Sequence, residues 1–217
     1  MENTDLVAVN RENAGMMLAQ KLSEFSHTNA VVVGVPHGGV CVAAQVAAHL
    51  HLALEVMMCR KIKDPSDQSK TIGSVSANDV ILHDVSRSIP QDYVYFQTIR
   101  LRNEIRYEND FYYGSEPQLD LEYKTVIIVD DVLLSADTLL AAIQEIRKRR
   151  ALRVIVAVPF VETEAARIIQ SEADDLVFLK MQQHIRTPNE YYQEFPKVEE
   201  WTVRKLLQLS KKSFSIA

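Results

Sequence analysis

The chain has 217 residues, 47% hydrophobic and 24% charged, ordinary proportions for one globular domain with a sizeable core. Its formal net charge of -5 speaks against coating nucleic acid, and no apolar run approaches membrane-spanning length. Cys41 and Cys59 lie in apolar surroundings without metal-ligand spacing, and Met1 to Asp5 reads as neither signal nor transit peptide, so a cytoplasmic protein is expected.

Taken in order, Glu12 to Phe25 carries Ala14, Met17, Leu18, Leu22 and Phe25 at helical spacing. Ala30 to Val35 is a buried strand, Pro36-His37-Gly38-Gly39 a sharp loop, and Val40 to Leu50 a small-residue helix. Leu54 to Cys59, ending in Arg60-Lys61, is the next strand and completes a βαβ unit. Lys63 to Lys70 is polar and broken by Pro65, the composition of a mobile surface loop. Ile72 to Ala77 and Val80 to His83 suit a hairpin around Asn78-Asp79, and Asp92 to Tyr113 a solvated helix.

Val126 to Val129 is then a wholly apolar strand, the pattern of a central parallel strand covered on both faces. It runs into Asp130 and Asp131, a short turn with Ser135 and Thr138, and a helix that extends to the cations Arg147 to Arg150. Those four cations read as helix C-terminal charges, each contributing roughly 0.3–1 kcal/mol against the macrodipole. Val154 to Pro159 is another buried strand, Glu164 to Gln170 a helix, Leu176 to Leu179 a short strand, and about Val198 to Leu209 a last helix.

Three stretches carry chemistry. An ionised carboxylate cannot be buried unpaired, so Asp130 and Asp131 must reach solvent, a cation or ligand hydroxyls, unless they merely end the strand. Hydroxyls and free amides at the following helix start suit a phosphate. Consecutive glycines at Gly38-Gly39 let backbone approach an anion, with neither a Walker nor a dinucleotide pattern around them. Arg60-Lys61 close a neighbouring strand and supply fixed positive charge for a polyanion, unless they merely solvate the surface.

Together these pieces resemble the type I phosphoribosyltransferases, and most closely a family of bacterial members. In that family a segment like Asn10-Arg11-Glu12-Asn13-Ala14-Gly15 precedes a Pro-x-Gly-Gly-Val loop, here Pro36 to Val40. Arg60-Lys61-Ile62, Ile72-Gly73 and the tail Glu190 to Phe195 follow in the same order. The resemblance implies an open, mostly parallel α/β sheet flanked by helices. The core would span about 30–180 of a single domain, 1–217, with a small hood from about 1–28 and 181–217. It implies an enzyme that binds Mg²⁺-phosphoribosyl pyrophosphate, or a related sugar phosphate or nucleotide, and exchanges pyrophosphate for a nucleobase-like acceptor. Asp130, Asp131 and Lys61 would carry catalysis. The two acids would hold the ribose hydroxyls and favour Mg²⁺, in part through water. Leu134, Ser135, Ala136, Asp137 and Thr138 would cradle the 5′-phosphate. Pro36, His37, Gly38, Gly39, Lys61 and Arg60 would hold pyrophosphate, and Lys63 to Lys70 would close over the site. Neither nucleic acid nor membrane is an expected partner, and a homodimer is the default assembly.

Three residues depart from the family pattern. Ala136 stands where Gly is usual, and a positive φ there would cost on the order of 1 kcal/mol. Asp137 would repel a phosphate if it faced the loop, whereas pointing outward at a helix start it would favour the dipole. His37 replaces an Arg and is a poorer polyanion partner at pH 7. These changes motivate a second reading, a nucleotide or sugar-phosphate sensor on the same fold.

Overall fold

The computed structural model describes residues 8–77, 79–83, 86 and 88–214. Asn78 of the expected turn and the ends of the expected hood, 1–7 and 215–217, lie outside them. The strands are β1 (Val31–Gly34), β2 (Ala53–Val56), β3 (Cys59–Lys63), β4 (Thr71–Ser76), β5 (Val80–Leu82), β6 (Thr125–Val129), β7 (Arg153–Glu162) and β8 (Asp175–Gln182). The helices are α1 (Arg11–Lys21), α2 (Gly38–Leu50), α3 (Gln91–Tyr113), α4 (Asp137–Lys148), α5 (Thr163–Glu172) and α6 (Glu200–Phe214).

Five strands form a parallel sheet in the order β2-β1-β6-β7-β8. Its central strands are apolar on both sides because both faces are covered. Val32 and Ile127 join the core formed with α1, α2 and α6, whereas Val31, Val33, Val126 and Ile128 join the core formed with α4 and α5. From β1 the chain turns outward through α2 to β2, and from β6 it turns the opposite way through α4 to β7. The strand order therefore reverses between β1 and β6. In open α/β sheets the crevice outside the carboxyl ends at such a reversal is where ligands bind.

The expected strand ending in Arg60-Lys61 is two strands. β2 stops at Val56, and β3 belongs to a separate three-stranded antiparallel sheet, β3-β4-β5. The reason is pattern: within Cys59–Lys63 only Ile62 is buried, so this segment cannot serve as a strand covered on both faces. Arg60 and Lys61 thus approach from a second sheet. Lys63 to Lys70 is the connection between β3 and β4, closed by Asp64 and Asp67 accepting from Ser66 and Ser69. Gly38-Gly39, expected in a loop, form the first turn of α2.

The cations Arg147 to Arg150 are all held within the protein. Arg147 pairs with Asp174 at 2.8 Å, Lys148 with Asp79 at 3.1 Å and Arg150 with Glu122 at 2.7 Å, while Arg149 donates to the Leu119 carbonyl at 2.5 Å. A third apolar cluster joins Ala8 and Ala14 to Phe160, Ile185, Tyr191 and Tyr192, which fastens the N-terminal helix to the tail.

Candidate active site

Parallel pairing of Gly34 with Val129 puts the loops after β1 and β6 side by side. The Val35 amide donates to the Val129 carbonyl at 2.9 Å, which continues the ladder into the first loop. The peptide Pro36–His37 is cis, and α2 begins at Gly38. A Cβ on Gly38 would lie 1.9 Å from Asp131 Oδ2, and one on Gly39 2.8 Å from the Val129 carbonyl oxygen. The glycines are what let the amino end of α2 close directly onto the acid pair.

The two acids have different surroundings. Asp131 is buried and its Oδ2 accepts from Arg11 Nε at 2.7 Å. The backbone carbonyl of Asp131 accepts from the Tyr192 hydroxyl at 2.8 Å. Asp130 Oδ1 accepts from the Asp131 amide at 2.8 Å. Burial, and then the neighbouring Asp131 charge, push the Asp130 carboxyl well above the usual carboxylate range, although that amide and Arg11 act the other way. Asp130 therefore favours its protonated form, beside an Asp131 side chain that Arg11 engages directly.

Arg11 belongs to the Asn10 to Gly15 segment, to which the sequence pattern assigns no role in the site. It is buried on the inner face of α1, one turn before Ala14 and Gly15. A Cβ on Gly15 would meet the Val42 carbonyl oxygen at 2.6 Å, so this glycine lets α1 lie against α2 and carries Arg11 over the site. A charged residue in line with Ala14, Leu18 and Leu22 on the apolar stripe is the signal that could have singled it out.

The loop after the acids is pinned to β7 at Leu133. The Leu133 amide donates to Phe160 and the Glu162 amide to Leu133, both at 2.9 Å. Leu134, Ser135 and Asp137 are exposed, Thr138 is half-buried, and Ala136 is buried. Ala136 has φ -71°, so alanine is unstrained there and the glycine of the family pattern is not required. Asp137 opens α4, whose first amides have no helical partners. Its Oδ2 lies 3.8 Å from Lys61 Nζ, so it faces the second sheet. Burial lowers the Lys61 pKa, and Asp137 partly restores it. Arg60 is engaged by Glu108 of α3 and by the Cys59 carbonyl, and His37 lines a neighbouring pocket with Phe111, Lys197 and Trp201. The structure thus brings Pro36 to Gly39, Asp130 and Asp131 together, and Lys61 to Asp137. It commits Arg60 elsewhere. Of the tail aromatics, Tyr191 and Tyr192 are core residues and Trp201 is exposed. Both thiols are half-buried, and burial raises each to about 11, as inert cysteines require.

A divalent cation fits this acid pair on one condition. Among the described residues no group of three or more His, Cys, Asp or Glu could hold a metal ion. Asp130 and Asp131 therefore suit a hydrated cation whose remaining ligands come from an anionic compound, the usual habit of Mg²⁺.

A phosphoribosyl transferase domain model matches residues 8–195. Two Mycobacterium tuberculosis proteins, Rv0571c and MT0597, provisionally named phosphoribosyl transferases, are 27% identical over 211 residues. The match covers 95% of this chain and 48% of theirs, so the chain spans about half the length of these curated relatives. Among solved structures, TT1426 from Thermus thermophilus is 28% identical, with a TM-score of 0.85 over 93% of this chain and 98% of that one. A purine phosphoribosyltransferase from Pyrococcus horikoshii shares the fold at 23% identity, with a TM-score of 0.50 over 90% of this chain and 99% of that one. With the acid pair at the strand-order reversal and the glycine pair packed against it, the chain belongs to the phosphoribosyl transferase domain family and has its mostly parallel, helix-flanked fold.

Proposed function

We propose that the chain is a phosphoribosyltransferase that takes Mg²⁺-phosphoribosyl pyrophosphate and a nucleobase-like acceptor. The observation that carries this reading is the packing of Gly38-Gly39 onto Asp130-Asp131. It sets a helix amino end, which attracts phosphate, against carboxylates able to accept from ribose hydroxyls.

In the reaction the C1′–O bond to pyrophosphate breaks and its electron pair leaves with pyrophosphate. A ring nitrogen of the acceptor forms the new C1′–N bond and gives its proton to solvent. Magnesium, when bound to the sugar pyrophosphate, neutralises charge on the leaving group. Asp131, fixed by Arg11, orients the 2′- and 3′-hydroxyls with Asp130. The amides of Gly38 and Gly39 face the pyrophosphate, with Lys61 as the mobile cation. Ser135, Thr138 and the first amides of α4 hold the 5′-phosphate. The Lys63 to Lys70 connection covers the site, excluding water that would trap the oxocarbenium-like centre. Most of the catalytic effect is then electrostatic, with no protein nucleophile.

The sensor reading keeps one point in its favour: Arg60 and Lys61 already have acidic partners in Glu108 and Asp137. Calorimetry with phosphoribosyl pyrophosphate and Mg²⁺, followed by a pyrophosphate-release assay across a nucleobase panel, decides the matter. Binding with release establishes the transferase, binding without release the sensor, and absence of heat sinks both.

A further inference from the structure

Arg11 takes no direct part in the transfer just described, yet it is a buried cation with several partners beside the acid pair. Its Nε donates to Asp131 Oδ2 and its Nη1 to the Pro196 carbonyl, each at 2.7 Å. The guanidinium carbon lies 3.6 Å from the centre of the Phe195 ring. The loop after β6 and the tail therefore hold one planar cation that α1 carries. Its planar fork matches the geometry of a carboxylate.

Two adjacent carboxylates at a strand end would ordinarily attract a divalent cation. Here one of them is already neutralised by an internal partner, and the Asp130 Oδ1 atom is occupied by an amide. What remains is too little negative charge to strip water from a small hard cation. A cation that arrives on a polyanion brings its own oxygen ligands and needs only water-mediated contact from the acids.

We propose that Arg11 is a positioning residue that serves as the resident counter-ion of Asp131, excluding bare divalent cations from the acid pair so that the metal enters and leaves with its polyanion. The identity of that polyanion rests on the phosphoribosyl pyrophosphate reading; exclusion of the bare cation rests on the geometry alone. A merely structural staple would loosen the tail when removed. A counter-ion, when removed, creates a metal site.

Mn²⁺ alone is the probe, read by the loss of its free electron-paramagnetic-resonance signal, with no sugar phosphate present. The wild-type chain and Arg11→Lys, which keeps the charge, should leave the signal unchanged. Arg11→Met should bind Mn²⁺ roughly tenfold or more tightly, the effect of losing one charge a few ångströms away. Adding Asp131→Asn to Arg11→Met should abolish that gain. Wild-type protein that binds Mn²⁺ as tightly as Arg11→Met overturns the proposal, as does a folded Arg11→Met with no gain. If Arg11→Met does not fold, Arg11→Gln replaces it, and tight Mn²⁺ binding by the wild type remains decisive. Calorimetry of the wild type with phosphoribosyl pyrophosphate is read separately, so failure of the transferase reading leaves the Mn²⁺ result standing.

Discussion

The side chain of Asp131 is 13% exposed and meets its cation at 2.7 Å, whereas that of Asp137, six residues on at the start of α4, is 46% exposed and meets its cation at 3.8 Å. Both carboxylates flank the proposed ligand, one at the ribose end and one at the 5′-phosphate end. The first is locked by a helix, a tail and a glycine pair. The second depends on one flexible lysine that reaches over from the antiparallel sheet. Desolvation explains the contrast: a buried charge must be paired closely or it unfolds its surroundings, while an exposed one can exchange its partner for water or a ligand. The Asp131 end of this segment is therefore held tightly, and the Asp137 end is freer to exchange its partner.

The largest break in that comparison is Asp131→Asn. The amide keeps the shape but leaves the Arg11 guanidinium buried without its counter-charge, and losing one partner of a buried pair costs about 3–5 kcal/mol. The urea midpoint should fall accordingly, and calorimetric binding of phosphoribosyl pyrophosphate should disappear. Next comes Gly39→Ala, whose added Cβ would meet the Val129 carbonyl oxygen at 2.8 Å and Asp130 Cα at 2.9 Å. Both are backbone atoms, so no rotamer change relieves the contact, and α2 must shift away from the acids at a cost of about 1–3 kcal/mol. Unaltered stability together with unaltered affinity would show that the close approach is dispensable.

The same contrast governs what the sequence reveals. β1, β6 and the two acids are legible because burial on both faces leaves little choice but an apolar run that ends in charge. The helix α3 is legible from its period, and the glycine pair from its composition. Arg11 pairs with a residue 120 positions away, and the register of a local pattern carries no such partner. The division of β2 from β3 turns on two residues, Met57 and Met58, both buried and both compatible with a continuing strand. Ala136 read as a defect because the family pattern implies a left-handed residue there, whereas the chain turns through the right-handed region. The pairing of Lys61 with Asp137 joins the antiparallel sheet to the start of α4, a relation that no local pattern specifies.

Asp137→Asn is the smallest change and the one that most sharpens the comparison. The pair is partly exposed and long, so its loss, with the favourable charge at the start of α4, should cost no more than about 1 kcal/mol. A phosphate bound at Ser135 to Thr138 would no longer share the start of α4 with a carboxylate, and removing one like charge at about 4 Å in water is worth about 1 kcal/mol, or roughly fivefold in affinity. The pH dependence follows from Lys61. Its folded-state pKa lies below the ordinary 10.5 because burial outweighs Asp137, so between those two values the unfolded chain binds more protons and stability rises with pH. Removing Asp137 lowers the folded-state value further, which widens that interval and steepens the rise. Urea unfolding between neutral and alkaline pH, with calorimetric titration of inorganic phosphate, reads both effects. A flatter pH profile in Asp137→Asn, or weaker phosphate binding, would mean that Asp137 helps to hold the anion-binding loop in shape.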